Sequence, residues 1–199
     1  MKCEPYDTLQ TVIGIGKEES KSYKTDKTIA KLDKVVKYID IPLQHSNKEV
    51  LKRMKRPAID YKDFIEKIRK NIPDVAIRTT FIVGYPGETE EEFEDLYNFV
   101  KDMRFDKVGV FTYSREKNTY AYNLKPQIKA VVKKKRKSRL MKLQKEISLN
   151  INKSYTGKKI KCIIEEIHQN GMAVARSYKD APEVDGLVFI KADGYLMPG

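Results

Sequence analysis

The sequence predicts an α/β fold in which a parallel sheet is followed by a long helix and a small, incomplete antiparallel β-barrel. Between residues 35 and 113, β-rich runs alternate with amphipathic runs of helical period. Residues 127–153 carry an unbroken helical pattern, and from Gly157 onward short alternating runs are separated by glycine and proline. Alternation of strands and helices is typical of parallel sheets, whereas short strands with frequent turns are typical of small barrels.

The first β-rich run, Val35–Ile41, predicts a strand that Pro42 ends, because proline lacks the amide that a sheet requires. We expect this strand to lie at an open edge of the sheet, which is a liability for aggregation. Ser46 and Glu49 then match a capping box, in which two residues satisfy each other's free backbone amides at a helix start. A second helix is expected to begin near Asp60.

The next β-rich run, Val75–Val83, is the strongest strand of the chain and is broken by Gly84. Thr89 and Glu92 match a second capping box, and the helix behind it has an acidic first turn, which suits the positive end of the helix dipole. Residues 107–113 predict a third strand. The order strand, helices, strand, helix, strand implies right-handed crossovers and therefore a parallel sheet.

The long helix over residues 127–153 combines an apolar stripe with positive charge at its start. Leu140, Leu143, Ile147 and Ile151 recur at the spacing of one helix face. The basic run Lys133–Lys137 precedes them, and on a helix its charges spread around the axis. Two interpretations stay open for this run: a solvated helix face, or a surface that attracts ribosomal RNA without sequence specificity.

The composition favours an anionic partner and shows no metal-ligand pattern. Forty lysines and arginines against 28 acidic residues give a formal charge of +12, which favours association with RNA or the ribosome. The two cysteines, Cys3 and Cys162, and the two histidines, His45 and His168, are isolated in sequence. No apolar run has the length of a membrane helix and no signal-peptide core is present, so we expect a cytoplasmic protein.

Four segments resemble the radical-SAM methylthiotransferase family. Tyr38–His45, Leu51–Pro57 and Phe111–Ser114 resemble its D-I-P-L-Q-H, L-x-x-M-x-R and Tyr-Ser motifs. Arg78–Thr89 matches the longer motif R-x-x-F-I-V-G-[FY]-P-G-E-T, whose length makes a chance match improbable. The resemblance covers residues 35–153.

The resemblance implies a partial (β/α) barrel that holds S-adenosyl-L-methionine (SAM) and a [4Fe-4S] cluster at the carboxyl ends of its strands. In this family, reductive cleavage of SAM yields a 5′-deoxyadenosyl radical, and the protein orients the cofactor and excludes water. No catalytic residue and no metal ligand is assigned in this chain. The candidates for SAM contact are Arg78, Gly84, Tyr85, Pro86, Gly87 and Glu88. The candidates for substrate contact or a structural role are Gln44, His45, Tyr113 and Ser114.

Several of these candidates have alternatives. The loop Gly84–Glu88 either lies beside the SAM adenine or is simply a tight strand-to-helix turn, since glycine permits both. Arg78 is expected to point to the face opposite its sequence neighbours, where a buried guanidinium needs an anion. The carboxylate of SAM and a carboxylate of the protein itself, in an internal salt bridge, are equally suitable anions. For His45, a structural hydrogen-bonded role is favoured over substrate contact.

A further segment distinguishes two branches of the family. Arg176–Gly186 resembles the R-S-x-x-x-A-P-E-x-D-G segment of the TRAM barrel in RimO-type members, which modify an aspartate of a small-subunit ribosomal protein near the decoding centre. This resemblance implies the ribosomal protein and the ribosome as partners, with Arg176, Glu183 and Asp185 as candidates for substrate recognition. One alternative is a MiaB-type enzyme, which modifies a tRNA adenosine. Another is a non-catalytic remnant that binds RNA or the ribosome.

The chain departs from the family pattern at two points. Asn118 replaces a glycine of the E-x-G-T-x-A stretch, and asparagine tolerates left-handed backbone geometry better than most residues. The cluster motif C-x-x-x-C-x-x-C is absent; Cys3 alone cannot replace it, and Cys162 is expected to be a buried apolar residue. We therefore expect an incomplete, cluster-lacking fragment whose cysteines would come from a missing N-terminal half or another polypeptide.

The expected organisation has three parts. Residues 1–30 are unassigned, apart from a possible short strand around residues 11–15. Residues 31–153 form the remaining part of the radical-SAM core with the long helix, and residues 154–199 form a partial TRAM domain.

Overall fold

The computed structural model of the chain describes residues 11–12, 29–32, 35–191 and 196–199. In chain order the elements are β1 (Thr11–Val12), β2 (Tyr38–Gln44), α1 (Lys48–Arg53), α2 (Tyr61–Asn71), β3 (Ala76–Val83), α3 (Glu90–Met103), β4 (Lys107–Thr112), α4 (Ala130–Lys153), β5 (Cys162–Ile167), β6 (Met172–Ser177) and β7 (Val188–Lys191). A short 3-10 helix, Tyr120–Asn123, lies between β4 and α4. The predicted α/β class with a second, antiparallel unit is confirmed.

Strands β1 to β4 form one parallel sheet in the order β1-β2-β3-β4. The prediction of parallel pairing is confirmed, with α1 and α2 connecting β2 to β3 and α3 connecting β3 to β4. Alternate apolar residues bury one face of the sheet, such as Ile77, Phe81 and Val83 of β3. Because the strands are parallel, the carboxyl ends of β2, β3 and β4 meet at one edge, which positions the candidate site.

Pro42 does not end its strand, contrary to the prediction. β2 continues through Pro42 to Gln44, and its register against β3 shifts between Ile41 and Gln44. The Leu43 amide donates to the Thr79 hydroxyl at 3.4 Å. An irregularity in the pairing accommodates a residue that has no amide to donate, so the strand passes the proline.

Two predicted helix starts are confirmed and a third is displaced by one residue. Asp60 caps α2, where its side chain accepts the Lys62 amide at 3.0 Å. Thr89 caps α3 through a complete capping box, in which the Thr89 side chain accepts the Glu92 amide and the Glu92 carboxylate accepts the Thr89 amide. For α1 the cap is Asn47 rather than Ser46, because the Asn47 side chain accepts the Glu49 amide at 3.0 Å. Both residue types are good N-caps, and the path of the chain out of β2 decides between them.

β2 is not the edge strand that the sequence predicts. Thr11 and Val12 pair in parallel with Ile39 and Asp40, so β1 lies outside β2. The possible strand near residues 11–15 is therefore present at Thr11 and Val12, and residues 13–15 lie outside the described residues. Its partners in β2 lie 28 positions further along the chain, and no local hydrophobic period encodes such a pairing.

The long helix packs through its predicted apolar stripe. Leu140, Leu143 and Ile147 of α4 are buried in the same core as β3 and α3. Strands β5, β6 and β7 form an antiparallel sheet in that order, as the alternating runs predict. In the part of the chain that the structure describes, no helix has both the length and the apolar character needed to cross a lipid bilayer.

Candidate functional site

The carboxyl ends of three parallel strands carry most of the predicted site residues. β2 ends at Gln44 and His45, β3 leads into Gly84–Glu88, and β4 leads into Tyr113. The Tyr113 amide donates to the last carbonyl of β3 at 2.9 Å, and the Tyr85 and Tyr113 rings meet edge to face with centroids 5.3 Å apart. Ligands of open α/β sheets bind outside this edge. The fold therefore brings these candidates together where a ligand site is expected.

The buried carboxylate of Glu88 stabilises the Gly84–Glu88 loop. One of its carboxylate oxygens accepts the amides of Gly84 at 2.6 Å and Tyr85 at 3.1 Å, and the other accepts from Arg136 Nη1 at 2.8 Å. Burial raises the pKa of Glu88, while Arg136 and the two amides oppose that rise. Both oxygens are thus bonded to protein donors, as a buried carboxylate requires.

The long helix holds the same loop through Gly84. This residue has φ of +75°, and a Cβ on it would lie 2.4 Å from Lys133 Cγ, so both the backbone and the packing require glycine. Lys133 Nζ donates to the Tyr113 carbonyl at 2.8 Å and lies 4.8 Å from the centre of its ring. Lys133 and Arg136 are not among the predicted site residues, because they belong to a uniform basic run. Their spacing of three residues, which places them on one helix face, is the only signal for them in the sequence.

Gln44 and His45 end β2 in different environments. Gln44 has φ of +69°, and a non-glycine residue held in this region stores roughly 1–3 kcal/mol of strain, a feature that clusters at functional sites. His45 is fully buried and its Nδ1 accepts the Asn47 amide at 3.0 Å. Burial lowers the pKa of His45 to about 3, so the imidazole is neutral and carries its proton on Nε2.

Four polar side-chain atoms near this edge are buried without a partner among the described residues: His45 Nε2, Ser46 Oγ, Arg53 Nε and Tyr113 Oη. A buried, unpaired polar atom costs about 1–3 kcal/mol unless a ligand or a water molecule satisfies it. Burial also raises the pKa of Tyr113, so its hydroxyl is available as a donor. The residues at this edge therefore fit a bound polar ligand of the kind that SAM represents.

The loop behind β4 is exposed and held by its own hydrogen bonds. The Ser114 hydroxyl donates to Glu116 at 2.5 Å, and Arg115 Nε donates to the Tyr122 carbonyl at 2.8 Å. Asn118 has φ of +65°, so asparagine adopts a left-handed backbone at the position where the family pattern has glycine. Ser114 points its hydroxyl along this loop and is not among the buried unpaired atoms.

Arg78 lies far from the Gly84 loop along β3. Its guanidinium donates to Asp40 Oδ2 at 3.1 Å, and its Nε lies 4.0 Å from Asp185 Oδ1. Between residues 78 and 84 the strand spans roughly 20 Å. Of the two anions considered for Arg78, the structure contains the internal carboxylate, that of Asp40. The structure does not bring Arg78 together with the Gly84 loop.

Asp185 also lies at the base of the sheet rather than at its carboxyl edge. Its side chain is almost fully buried, and its Oδ2 accepts from the Tyr38 hydroxyl at 2.6 Å and from the Ala181 amide at 2.9 Å. Burial and the bond to Asp185 raise the pKa of Tyr38, which keeps its hydroxyl a donor. Asp185 therefore connects the antiparallel unit to the first residue of β2.

Two ion pairs strengthen the same connection. Lys107 at the start of β4 pairs with Asp180, and Lys179 pairs with Asp106, each at 2.8 Å. The segment at 178–185 thus forms an interdomain latch that fastens the antiparallel unit to the amino ends of the parallel strands. The sequence shows this segment only as a family resemblance, because its partners lie more than seventy positions away.

The other two candidates of this segment differ in their environment. Arg176 of β6 forms an ion pair with Glu165 of β5 within the antiparallel sheet. Glu183 is exposed, has φ of +61°, and forms no hydrogen bond or ion pair with the described residues. Among the three candidates for substrate recognition, Glu183 is the one whose charged group faces solvent freely.

The described residues do not provide a ligand set for an iron–sulfur cluster. They contain no group of three or more His, Cys, Asp or Glu side chains that could hold a metal ion. Cys162, the one cysteine within the described ranges, is half-buried on β5 rather than fully buried, and burial raises the pKa of its thiol. Cys3 lies outside the described residues, and the absence of cluster ligands stays a prediction from the sequence.

Two family models match the chain. The model described as the Radical SAM superfamily matches residues 17–100, and the model described as the TRAM domain matches residues 156–199. The first match includes the ends of β2 and β3 with the Gly84 loop, and it begins inside the segment left unassigned by sequence. The second match includes the whole antiparallel sheet and the latch.

Curated relatives resemble the chain over most of its length. The ribosomal protein uS12 methylthiotransferase RimO of Caldanaerobacter subterraneus is 53% identical, over 88% of this chain and 41% of its own length. That of Thermoanaerobacter sp. is 56% identical over 84% and 38%, and that of Lachnoclostridium phytofermentans is 44% identical over 99% and 42%. The chain therefore spans about two fifths of the length of these relatives. The chain therefore combines a radical-SAM segment with a TRAM domain, and over 84–99% of its own length it is similar to RimO-type radical-SAM methylthiotransferases.

Proposed function

We propose that this chain forms the SAM-binding edge and the TRAM unit of an enzyme that methylthiolates an aspartate of ribosomal protein uS12. The observation that carries the proposal is the identity of about one half to relatives named for that reaction. Two cysteines are too few for a four-iron cluster, so the cluster ligands are proposed to come from a partner polypeptide or a longer product. The ribosome as partner implies action in the cytoplasm.

The SAM contact is proposed at the carboxyl edge of the sheet, through the backbone of Gly84–Gly87 and the side chains of Gln44 and Tyr113. The strained Gln44 and the unpaired Tyr113 hydroxyl support this placement. Bound SAM would supply the radical chemistry, and these residues would bind and orient it. Glu88 is proposed as a positioning residue, because its charge is already paired within the protein and it accepts two amides of the loop. Arg78 is not proposed as a SAM contact, because it pairs with Asp40 and lies roughly 20 Å from the loop along β3.

The substrate is proposed to be the ribosomal protein rather than a tRNA adenosine. The resemblance of Arg176–Gly186 to RimO-type members and the names of the relatives support this choice. Within that segment Asp185 is occupied by the latch, so Glu183 is proposed as the residue that contacts the partner. A free carboxylate suits a basic ribosomal protein.

A chimera tests the activity. This chain replaces the aligned segment of the Caldanaerobacter relative, and the chimera is expressed in cells that lack their own uS12 and tRNA methylthiotransferases. Mass spectrometry of uS12 is expected to show the methylthio group on its aspartate. Methylthioadenosine in tRNA with unmodified uS12 would instead establish the MiaB-type alternative, and a cluster-loaded chimera that modifies neither substrate would refute the proposal.

Equilibrium dialysis of the chain with labelled SAM tests the site. Gln44→Ala is expected to weaken SAM binding about tenfold, which corresponds to the loss of one well-placed polar contact. Ser114→Ala is the matched control, since this hydroxyl lies in the next loop and bonds to Glu116. Equal losses in the two variants would contradict the assignment of Gln44.

A further inference from the structure

The long helix α4 directs some of its positive charges inward. Arg136 pairs with the buried Glu88, and Arg139 pairs with Glu94 at 2.7 Å. Lys133 donates to the Tyr113 carbonyl. These three cations lie on the side of α4 that faces the sheet and α3, so their charges are neutralised or engaged within the protein.

Five other lysines of α4 point outward and form what we call the lysine face. Its members are Lys134, Lys135, Lys137, Lys142 and Lys145, all of them exposed. None of them forms an ion pair or a hydrogen bond with another residue in the described ranges of the chain. With 3.6 residues per turn, Lys134, Lys142 and Lys145 lie within about 80° of arc. The charge that the sequence spreads around the helix is therefore one-sided in the fold.

A cleft of about 730 Å³ borders the lysine face, between α4, β4 and the interdomain latch. Its lining includes the ammonium groups of Lys142 and Lys145 and the hydroxyls of Ser138 and Ser148. Arg78 and Lys107 also line it, but they are paired with Asp40 and Asp180. Asp185 also lines the cleft, but its carboxylate is bonded to Tyr38 and to a backbone amide. Ammonium and hydroxyl groups are common donors to phosphate oxygens.

We propose that the lysine face and this cleft bind the phosphate backbone of RNA. Lys134 and Lys145 lie about 16 Å apart along the helix, a distance that reaches several phosphates of a strand. The proposal goes beyond the methylthiotransferase activity, because α4 lies between the two matched segments and takes part in no proposed catalytic contact.

The chemistry of the face disfavours other partners. Lysine is depleted in protein–protein interfaces, and the lysine face contains none of the aromatic anchors that such interfaces use. A membrane-bound helix needs a continuous exposed apolar face, whereas the apolar stripe of α4 is buried against the sheet. Its exposed apolar residues, Val131, Met141 and Leu149, lie about two or more turns apart and form no such face.

The test compares two triple variants with the same change in charge. In the first, Lys134, Lys142 and Lys145 are replaced by Gln; in the second, the exposed Lys62, Lys70 and Lys101 of α2 and α3 are replaced by Gln. Binding of a labelled single-stranded RNA to the full chain is measured across a series of salt concentrations. The lysine-face variant is expected to lose about tenfold or more in affinity near 100 mM salt, with the slope of log K against log salt flatter by about 2. The control variant is expected to lose less than about twofold.

Equal losses in the two triple variants, or no RNA binding by the unmodified chain at low salt, would overturn the proposal. Displacement of RNA by polyglutamate at equal charge would point to an acidic protein, and equal binding to phosphatidylserine vesicles would point to a membrane. A third variant with Arg at the three lysine-face positions is expected to retain binding, which separates lost charge from lost folding. No step requires SAM, so failure of this surface is distinguishable from failure of the methylthiotransferase proposal.

Discussion

Arg136 Nη1 lies 2.8 Å from Glu88 Oε1, in an ion pair whose two side chains are almost fully buried. The guanidinium also reaches Glu90 at 2.9 Å and lies 5.3 Å from the centre of the Phe93 ring. Because Glu88 accepts the amides of the loop behind β3, this pair connects the long helix directly to the candidate SAM edge.

Replacement of Arg136 by Ala is expected to lower the free energy of unfolding by about 3–5 kcal/mol, because Glu88 would remain buried without its cation. Arg139→Ala is the matched control, since its partners are largely exposed and its loss should cost about 1 kcal/mol or less. Urea denaturation at neutral pH measures both values. Similar losses of unfolding free energy in the two variants would show that the buried Arg136–Glu88 pair stabilises the protein no more than the exposed pairs of Arg139.

His45 is expected to make stability depend on pH. Its pKa is about 3 in the folded protein and near 6.5 when unfolded, so below pH 6.5 only the unfolded chain takes up a proton. Stability therefore falls as the pH falls from 6.5 towards 3, by up to about 1.4 kcal/mol per pH unit from this group.

Urea denaturation from about pH 7 to about pH 5 checks this slope. His45→Asn, which keeps an acceptor near the Asn47 amide, is expected to remove most of the slope, whereas the exposed His168→Asn should retain it. An unchanged slope in the His45 variant would rule out His45 as its source.

The interdomain latch is expected to depend on Asp185 and not on Glu183. Asp185→Ala leaves the Tyr38 hydroxyl and the Ala181 amide without their acceptor and should cost about 1–3 kcal/mol. Glu183→Gln, in the same loop, should stay within about 0.5 kcal/mol of the unmodified chain. A double-mutant cycle with Tyr38→Phe is expected to give a coupling of about 0.5–3 kcal/mol, and a coupling of zero would argue against the latch.

Gly84→Ala is expected to destabilise the chain more than Gly171→Ala. Both glycines have positive φ, but a Cβ at Gly84 meets Lys133 whereas one at Gly171 meets nothing within 4 Å. Backbone strain alone costs about 1 kcal/mol, and the clash adds to it at Gly84. The melting temperature is expected to recover in part when Lys133→Ala is combined with Gly84→Ala. No recovery would show that the contact between Lys133 and a Cβ at residue 84 does not cause the loss of stability.

Local patterns predict the strands, helices and several caps of this chain. The capping box of Thr89 and Glu92 depends on residues three positions apart, and the apolar stripe of α4 depends on one helical period. Placements that depend on the path of the chain were predicted less well. Pro42 lies within β2 because the pairing is irregular there, and Asn47 rather than Ser46 caps α1 because the turn out of β2 selects it.

The sequence by itself determined the α/β class, the parallel pairing of the strands and the resemblance to methylthiotransferases, because hydrophobic period, helix caps and motifs lie within short stretches of chain. Only the tertiary structure decided which charges meet. Arg136 and Glu88 are 48 positions apart, and Lys107 and Asp180 are 73 positions apart. No local pattern encodes such pairs, because many cations of the chain are locally equivalent and packing alone brings one of them to each buried carboxylate.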